Sequence, residues 1–326
     1  MELTEILNVI SAELEEVESE LEKNIQSPIP LVYEISKYLL GSGGKRLRPS
    51  VLLLSSGACG LYDGIKRIYA AASLELIHTA TLLHDDVVDE ATLRRGKTSS
   101  NVVWGNKPTV LVGDFMLARA LSLLQSCGNL ELIKFVTDAS AKLAEGQVLE
   151  VMSGKNMVDV TEDICFSIID SKTASLIESC GKVGALLADS NSEAVESLGS
   201  YGRNIGIAFQ LVDDALDYVS TEKEFGKAVG QDLIEGKMTL PLFYSLENAP
   251  RDIKNEIKDY LRKDEFSESN IYKIREVVEK FKGVQTTNNV AKEYIANAKK
   301  SIQILPDNIF KKSLNELADY VVERTF

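Results

Sequence analysis

Two groups of aspartates are the residues of this sequence whose type and spacing could do chemistry. Both have the spacing DDxxD and together they comprise Asp85, Asp86, Asp89, Asp213, Asp214 and Asp217. On an α-helix, residues four apart are offset by about 40° and residues three apart by about 60°, so each group points to one side. Apolar residues flank both groups, which favours interior helices, where unbalanced negative charge is costly. We therefore expect cations to bind there; the alternative is two solvated acidic helix faces.

The residue types around the aspartates restrict which cation would bind. Carboxylate-only clusters suit hard ions such as Mg²⁺, Mn²⁺ or Ca²⁺. The only two histidines, His78 and His84, do not form two Glu-x-x-His pairs, so di-iron and zinc sites are disfavoured. Mg²⁺ usually takes one or two carboxylates and shares the phosphate oxygens of a substrate. The aspartates thus predict magnesium and a phosphorylated substrate.

Basic side chains near glycine-containing turns are candidates for binding that phosphate. The stretch GSGGKRLRP opens a predicted helix, a geometry that suits an anion. Two arginines follow the first aspartate group, and the planar guanidinium favours bidentate phosphate contacts. The candidate donors are Lys45, Arg46, Arg48, Arg94, Arg95, Lys172, Thr173, Lys227 and Lys237.

Helical periodicity runs through most of the chain and predicts an all-α fold that positions these residues. After an N-terminal stripe it recurs at about 29–40, 47–60, 64–90, 110–127, 130–152, 162–189, 192–220, 238–248, 251–263, 268–282, 285–303 and 308–323. Three charged connections, 41–49, 92–107 and 221–241, interrupt the pattern. With only seven prolines and no linker-like stretch, residues 1–326 are expected to form a single domain.

Composition and the chain's N-terminal sequence exclude several functional classes. A net charge of -13 disfavours a nucleic-acid binder. The four cysteines lie far apart in apolar helical patterns and are expected to be buried thiols. The acidic N-terminus does not resemble a signal peptide, and no apolar run of about 18 residues predicts a membrane span. The expected location is the cytoplasm.

A series of motifs in residues 41–241 resembles the all-trans polyprenyl diphosphate synthases. In order they are GGKRLRP, LLHDDVVDEATLRRG, VGDF, SKT, FQLVDDALDY and GKAVGQDLIEGKMTLP. The resemblance implies an all-α, single-domain helical bundle of the isoprenoid synthase type around a deep central cavity, usually a homodimer. It also implies the joining of an allylic diphosphate to isopentenyl diphosphate with release of pyrophosphate.

The resemblance assigns roles to individual residues. The six aspartates would bind about three Mg²⁺ ions, or Mn²⁺ in their place, which hold the allylic diphosphate. Further contacts to that diphosphate fall on Arg94, Lys172, Thr173, Gln210, Lys227 and Lys237. The residues expected to hold isopentenyl diphosphate are Lys45, Arg48, His78 and Arg95. Those expected to contribute directly to catalysis are Asp85, Asp86, Asp89, Arg94, Lys172, Asp213, Asp214 and Lys227.

The helix before the first aspartate group is expected to set product length. Ala80 and Thr81 lie one turn before Asp85, and aromatic residues there block the tail in short-chain members of the family. Small residues leave the channel open, and the helix from about 63 to 85 could line roughly six to eight isoprene units. Candidate floor residues are Phe115, Met116, Leu121 and Leu124.

Four alternatives stay open. A geranylgeranyl or other short-chain product is the main one. A class I terpene cyclase generally has a different second motif and lacks GGKRLRP. A non-catalytic subunit would usually lose acidic residues, and a scaffold that only binds divalent ions leaves the placed arginines unexplained.

Overall fold

The computed structural model describes residues 2–154, 156–219, 231–263 and 266–323 of the chain. Its first helices are α1 (Leu3–Ile6), α2 (Ser11–Asn24), α3 (Pro30–Leu40), α4 (Leu47–Ala58), α5 (Ile65–Val88), α6 (Ser100–Trp104), α7 (Asn106–Ser126), α8 (Leu130–Gly154) and α9 (Glu162–Ile169). They are followed by α10 (Ser175–Leu187), α11 (Ser192–Val219), α12 (Gln231–Ile234), α13 (Leu240–Asn248), α14 (Arg251–Lys263), α15 (Glu268–Lys280), α16 (Gly283–Ser301) and α17 (Ile309–Glu323). Short 3₁₀ turns occupy Leu7–Ile10, Met157–Asp159 and Ile302–Ile304. The all-α prediction is confirmed.

A two-stranded hairpin is the main departure from the expected pattern. Strands β1 (Leu93–Arg94) and β2 (Lys97–Thr98) pair antiparallel. Arg95 (φ 52°) and Gly96 (φ 74°) form the turn in left-handed backbone conformations. The hairpin, α6 and the start of α7 lie in the segment 92–107, which the sequence predicted to be an irregular connection. Two-residue strands are too short to produce a visible alternation.

The described residues divide into two compact units, each built from separate chain segments. Unit 1 comprises the described residues of Met1–Ser140, Leu176–Gly202 and Lys299–Tyr320, and unit 2 those of Ala141–Ser175, Arg203–Ala298 and Val321–Phe326. Because segments of the two units alternate along the chain, neither unit is a continuous piece of sequence. The single domain of residues 1–326 stays a prediction.

Helix α5 lies at the centre of unit 1 and packs against α2, α4 and α7. It is buried on nearly all sides because apolar or small residues cover its circumference, as at Ala72, Leu76 and Leu83. The hydroxyl of Ser73 donates a hydrogen bond to the carbonyl of Ala120 in α7 (2.9 Å), which satisfies a polar group inside this contact. This packing fixes the end of α5, where the first aspartate group lies.

Unit 2 has its own apolar core. Helices α13, α14 and α15 and the end of α11 contribute Tyr218, Leu242, Ile257, Ile274 and other buried side chains to one cluster. The amphipathic pattern of these helices explains the packing, since each has a polar outer face. The last part of the chain, to which the sequence assigned only further helices, thus supports the end of α11 and the second aspartate group.

Two expectations from composition can be compared with the structure. Cys127, Cys165 and Cys180 are buried thiols, whereas Cys59 is half-buried. Burial raises the pKa of the Cys180 thiol to about 12. Within the described ranges, no helix is both long enough and apolar enough to cross a membrane.

Candidate active site

The first aspartate group lies at the C-terminal end of α5. Asp85 and Asp86 belong to the last turn, and Asp89 follows the helix as its C-terminal cap. Asp86 is fully buried, and its Oδ1 accepts a hydrogen bond from Nε of Arg94 (2.7 Å) and lies 2.5 Å from Nη2 of Arg94 in the same ion pair. The β1–β2 hairpin therefore serves to bring an arginine against the end of α5.

A glycine in α7 permits close packing against the same turn of α5. A Cβ at Gly113 would lie 2.3 Å from Nε2 of His84, the residue before Asp85. That ring nitrogen is 3.2 Å from the Val110 carbonyl oxygen and 3.4 Å from Oδ1 of Asp114. The VGDF motif thus positions the aspartate turn through His84, a role that the sequence did not reveal.

A cluster of arginines surrounds His78 in unit 1. Burial lowers the pKa of His78 well below its usual value, and Arg48, Arg95 and Arg94 lower it further, so the imidazole is neutral. Burial also lowers the pKa of Arg48, whose buried Nε has no hydrogen-bond partner among the described residues. Such a concentration of buried positive charge fits an anionic ligand. The structure therefore brings together Arg48, His78 and Arg95 as the sequence predicted.

Arg46 and Lys45 play different parts at the start of α4. Arg46, in a left-handed conformation (φ 46°), forms ion pairs with Glu18 and with Oε1 of Glu75 (2.9 Å). Burial alone would lower the pKa of Arg46, but these two carboxylates raise it. Lys45 lies over the Tyr320 ring, with Nζ 5.7 Å from the centroid. Arg46 is thus a structural residue, which leaves Lys45 and Arg48 as candidates for the anion.

Asp214 of the second aspartate group lines a pocket in unit 2. Asp213 is half-buried on α11, and Asp214 and Asp217 are buried. The residues lining the pocket include Glu150, Ser153, Lys172, Thr173, Gln210, Asp214, Asp232, Lys237 and Thr239. The sequence predicted five of these nine as site residues, and the structure brings those five together.

Hydrogen bonds connect the predicted residues of the pocket into a chain. The Thr173 hydroxyl donates to Oε1 of Gln210 (2.8 Å), and Nε2 of Gln210 donates to Oδ1 of Asp214 (2.8 Å). Lys172 forms an ion pair with Glu150. Nζ of Lys237 lies 4.0 Å from the same carboxylate. The pocket therefore places the ammonium groups of Lys172 and Lys237 next to the carboxylate of Glu150.

Negative charge nevertheless exceeds positive charge around the buried aspartates. Burial raises the pKa of Asp214 to about 7, and Asp213, Glu150 and Asp217 add to the increase. Burial together with Asp217 and Asp214 also raises the pKa of Asp232 well above its usual value. An oxygen-only donor set with uncompensated charge fits a hard divalent cation.

The carboxylates do not form a complete metal site by themselves. In the part of the chain that the structure describes, no three His, Cys, Asp or Glu side chains converge closely enough to hold a metal ion. This arrangement fits Mg²⁺ rather than a protein-only cage, because Mg²⁺ completes its shell with water and substrate phosphate.

Sequence reasoning missed several polar residues in or beside the pocket, three of which carry a carboxylate or an amide. Glu150 and Asp232 border it, and Gln147 lies one helical turn before Glu150 on α8. Both polar atoms of the Gln147 amide are buried without a hydrogen-bond partner in the described residues. Gln147 and Glu150 belong to the stretch GQVLE, and Asp232 belongs to GKAVGQDLIEGK. A single acid or amide does not recur at a fixed spacing, so the sequence alone did not single out these residues.

The remaining predicted site residues lie along α5 and α7, apart from one. Ala80 is buried, and the Thr81 hydroxyl donates to the His78 carbonyl (2.7 Å). Of the candidate floor residues on α7, Met116 and Leu124 are buried and Phe115 is half-buried, whereas Leu121 is 44% exposed and is the least suited to close a buried channel. Lys227 lies outside the described residues.

Known proteins match this chain along almost its entire length. The sequence model of the polyprenyl synthetase family matches residues 29–279. The chain is 36% identical to octaprenyl diphosphate synthase of Escherichia coli (strain K12), over 99% of each chain. It is 34% identical to the short chain isoprenyl diphosphate synthase of Methanothermobacter thermautotrophicus, also over 99% of each chain. The crystal structure of a polyprenyl synthase from Caulobacter crescentus CB15, complexed with calcium and isoprenyl diphosphate, matches with a TM-score of 0.95 at 34% identity, covering 99% of this chain and 98% of that one.

An all-α fold with two partly buried aspartate groups, each accompanied by basic side chains, fits the class of enzymes that act on diphosphates. With these matches, the chain belongs to the polyprenyl synthetase family, a family of prenyltransferases. The predicted isoprenoid synthase type of fold is confirmed by the structural match.

Proposed function

We propose that the protein is a Mg²⁺-dependent polyprenyl diphosphate synthase that makes a long-chain all-trans product of roughly six to eight isoprene units. The observation that carries the proposal is the pair of DDxxD groups with buried carboxylates, Asp86 beside Arg94 and Asp214 beside Gln210. Full-length similarity to octaprenyl diphosphate synthase of Escherichia coli supports the same function.

Each substrate is assigned to a different set of side chains. Mg²⁺ ions on the aspartate groups, together with Arg94, Lys172, Thr173, Gln210, Lys227 and Lys237, bind the allylic diphosphate. The anion cluster of Lys45, Arg48, His78 and Arg95 binds isopentenyl diphosphate. The neutral imidazole of His78 can donate one hydrogen bond there without adding charge.

The chemistry requires stabilisation of charge more than a strong base. The C–O bond of the allylic diphosphate breaks, and a C–C bond forms to the terminal alkene carbon C4 of isopentenyl diphosphate. This leaves a tertiary cation at C3, and loss of a proton from C2 forms the new double bond. When bound, Mg²⁺ neutralises the departing diphosphate as a Lewis acid. Arg94 and Lys172 contribute fixed positive charge at the same leaving group, which is preorganised electrostatic stabilisation. Pyrophosphate itself takes the proton.

Gln147 is a further residue that the allylic substrate would engage. A buried amide without partners costs about 1–3 kcal/mol for each unsatisfied polar atom, so this side chain is suited to a ligand rather than to core packing.

Small side chains at the end of α5 support the long product. Ala80 and Thr81 lie one turn before Asp85 on α5, and neither carries an aromatic ring that would block a growing tail. A short-chain product is the second candidate, favoured by the similarity to the short chain synthase of Methanothermobacter thermautotrophicus. Product sizing separates the two.

A homodimer in the cytoplasm completes the proposal. Helices α6 and α7 carry exposed apolar side chains, among them Val102 (55% exposed) and Leu111 (66% exposed). Apolar surface of this kind supports association with a second copy. Light scattering of the purified protein measures the mass directly, and a monomeric mass at micromolar concentration contradicts this part.

The direct test is incubation with labelled isopentenyl diphosphate, Mg²⁺ and geranyl, farnesyl or geranylgeranyl diphosphate, followed by chromatographic sizing. The expected result is incorporation into long products, abolished by EDTA and reduced at least about 100-fold in Asp86→Asn and Asp214→Asn. Asp138→Asn is the matched control, because Asp138 is an exposed residue of α8 that forms an ion pair with Lys134 of the same helix. No incorporation by the wild-type protein with any primer contradicts the proposal, and cyclised products favour a terpene cyclase.

A further inference from the structure

A π-helical turn (Asp170–Ala174) separates α9 from α10 and carries two of the pocket residues. The sequence pattern predicted one uninterrupted helix over 162–189. A π turn contains an extra residue, is rarely stable by itself and often occurs at functional sites. Here it directs Lys172 to Glu150 and Thr173 to Gln210. The register of the turn therefore decides where both side chains point.

The π turn contacts α8 and α11 at two glycines. A Cβ at Gly146 of α8 would lie 2.5 Å from Cβ of Ser171. A Cβ at Gly206 of α11 would lie 2.6 Å from Cα of Ala174. These close approaches leave little room for the turn to shift sideways, but glycine contacts supply no directional bond to hold its register.

Directional bonds to the same two helices come from Asp170, the first residue of the turn. One carboxylate oxygen pairs with Lys142 of α8, and Oδ1 accepts from Nε of Arg203 of α11 at 2.5 Å. The Asp170 side chain is only 15% exposed, whereas Lys142 and Arg203 are 41% and 52% exposed. Burial would raise the pKa of Asp170, but the bonds from Arg203 and Lys142 lower it, so the carboxylate is charged at neutral pH.

The spacing along α8 and α11 places these anchors on the same rows as the pocket residues. Lys142 lies four residues before Gly146, which lies four before Glu150; Arg203 lies seven residues before Gln210. Residues at these intervals lie on one side of a helix. Asp170 therefore ties the π turn to the two helices that supply the partners of Lys172 and Thr173.

We propose that Asp170 is a positioning residue that holds the π turn in register, so that Lys172 and Thr173 point at the allylic diphosphate. Asp170 does not touch the substrate; it acts through the turn and through its bonds to Lys142 and Arg203. The inference rests on the proposed prenyltransferase function and names the part of the chain that prearranges its allylic subsite.

The test is steady-state kinetics of Asp170→Asn, which keeps the shape of the side chain and removes its charge. The expected result is a KM for the allylic diphosphate raised about tenfold, with the KM for isopentenyl diphosphate within twofold of wild type. Hydrogen exchange should speed up at the amides of residues 170–175. Asp170→Glu, which restores a carboxylate, should recover most of the loss. Lys142→Met removes one of the two donors and should give an intermediate effect even if Asp170→Asn folds poorly.

Asp138→Asn is again the matched control, since it makes the same change of Asp to Asn on an exposed side chain of α8 whose ion pair is with Lys134. Unchanged kinetics in both Asp170→Asn and Lys142→Met overturn the positioning role. Equal increases in the KM values of both substrates, together with a thermal midpoint lowered by more than about 5 °C, also overturn it, because they indicate a general loss of stability. Wild-type protein that does not incorporate isopentenyl diphosphate overturns the proposed function and this inference together. Active wild type with unaltered variants overturns only the role of Asp170.

Discussion

Replacing Ala80 with tyrosine should shorten the product to about three or four isoprene units. Ala80 is 1% exposed and lies five residues before Asp85 on α5. Five residues correspond to a rise of about 7.5 Å, and an isoprene unit spans about three residues, roughly 4.5 Å. About two units therefore fit between the aspartates and a ring at position 80, in addition to the unit bonded to the diphosphate.

The assay is chain elongation from geranyl diphosphate, which has two isoprene units, with labelled isopentenyl diphosphate, followed by sizing of the dephosphorylated products. Wild type should give products of roughly six to eight units, and Ala80→Ser, which keeps a small side chain, should give the same distribution. If Ala80→Tyr shortens the product and Ala80→Ser does not, the aromatic ring causes the effect, since both variants change the residue at position 80.

A product distribution from folded, active Ala80→Tyr that equals the wild-type distribution would refute this account of chain length. Overpacking a buried site costs about 1–3 kcal/mol, so thermal unfolding of the variant should be measured alongside. If Ala80→Tyr does not fold, Thr81→Tyr provides the same test, because Thr81 is only half-buried and lies at the same level of α5.

Three further predictions concern unit 2. Gln147→Leu should raise the free energy of unfolding by about 1–3 kcal/mol in a denaturant titration, because it removes a buried amide that has no partner among the described residues. The same variant should have a lower kcat. A lower stability with unchanged kcat contradicts a role of Gln147 in substrate binding. Gly146→Ala should lower stability by about 1–3 kcal/mol and weaken allylic substrate binding, since its Cβ would lie 2.5 Å from that of Ser171; wild-type values in both measurements exclude the close contact. Burial raises the pKa of Asp214 in the folded protein to about 7, so the folded protein binds more protons than the unfolded protein between about pH 4 and 7. The thermal stability of the metal-free protein should therefore fall as pH rises through this window, and Mg²⁺ should reduce the loss. Melting curves that do not depend on pH or Mg²⁺ contradict this prediction.

Periodicity predicted the long helices well because their burial follows a repeating pattern. Helix α5 was predicted as 64–90 and observed as Ile65–Val88, and α17 was predicted as 308–323 and observed as Ile309–Glu323. The β1–β2 hairpin and the π turn were missed. Two-residue strands have no visible period, and one extra residue in a turn leaves the apolar spacing of the flanking helices almost unchanged.

The site was predictable where residues of one type recur at a fixed spacing. The aspartate groups and the neighbouring arginines met that condition, and the structure places Arg94 against Asp86 and Lys172 in the pocket that Asp214 lines. Glu150, Gln147 and Asp170 did not meet it, because each acts through contacts with residues distant in sequence. Arg46 had the right type and position, but its bonds to Glu18 and Glu75 depend on the folded arrangement.

The central claim is that metal ions on the two aspartate groups hold the allylic diphosphate. The most direct measurement is calorimetric titration with a non-ionising thiolo analogue of geranyl diphosphate, which reports binding without turnover. We expect the wild-type protein to bind the analogue with Mg²⁺ and not with EDTA, and Asp86→Asn and Asp214→Asn each to weaken binding at least about tenfold. Equal affinity in EDTA, or full affinity in both variants, would contradict the claim.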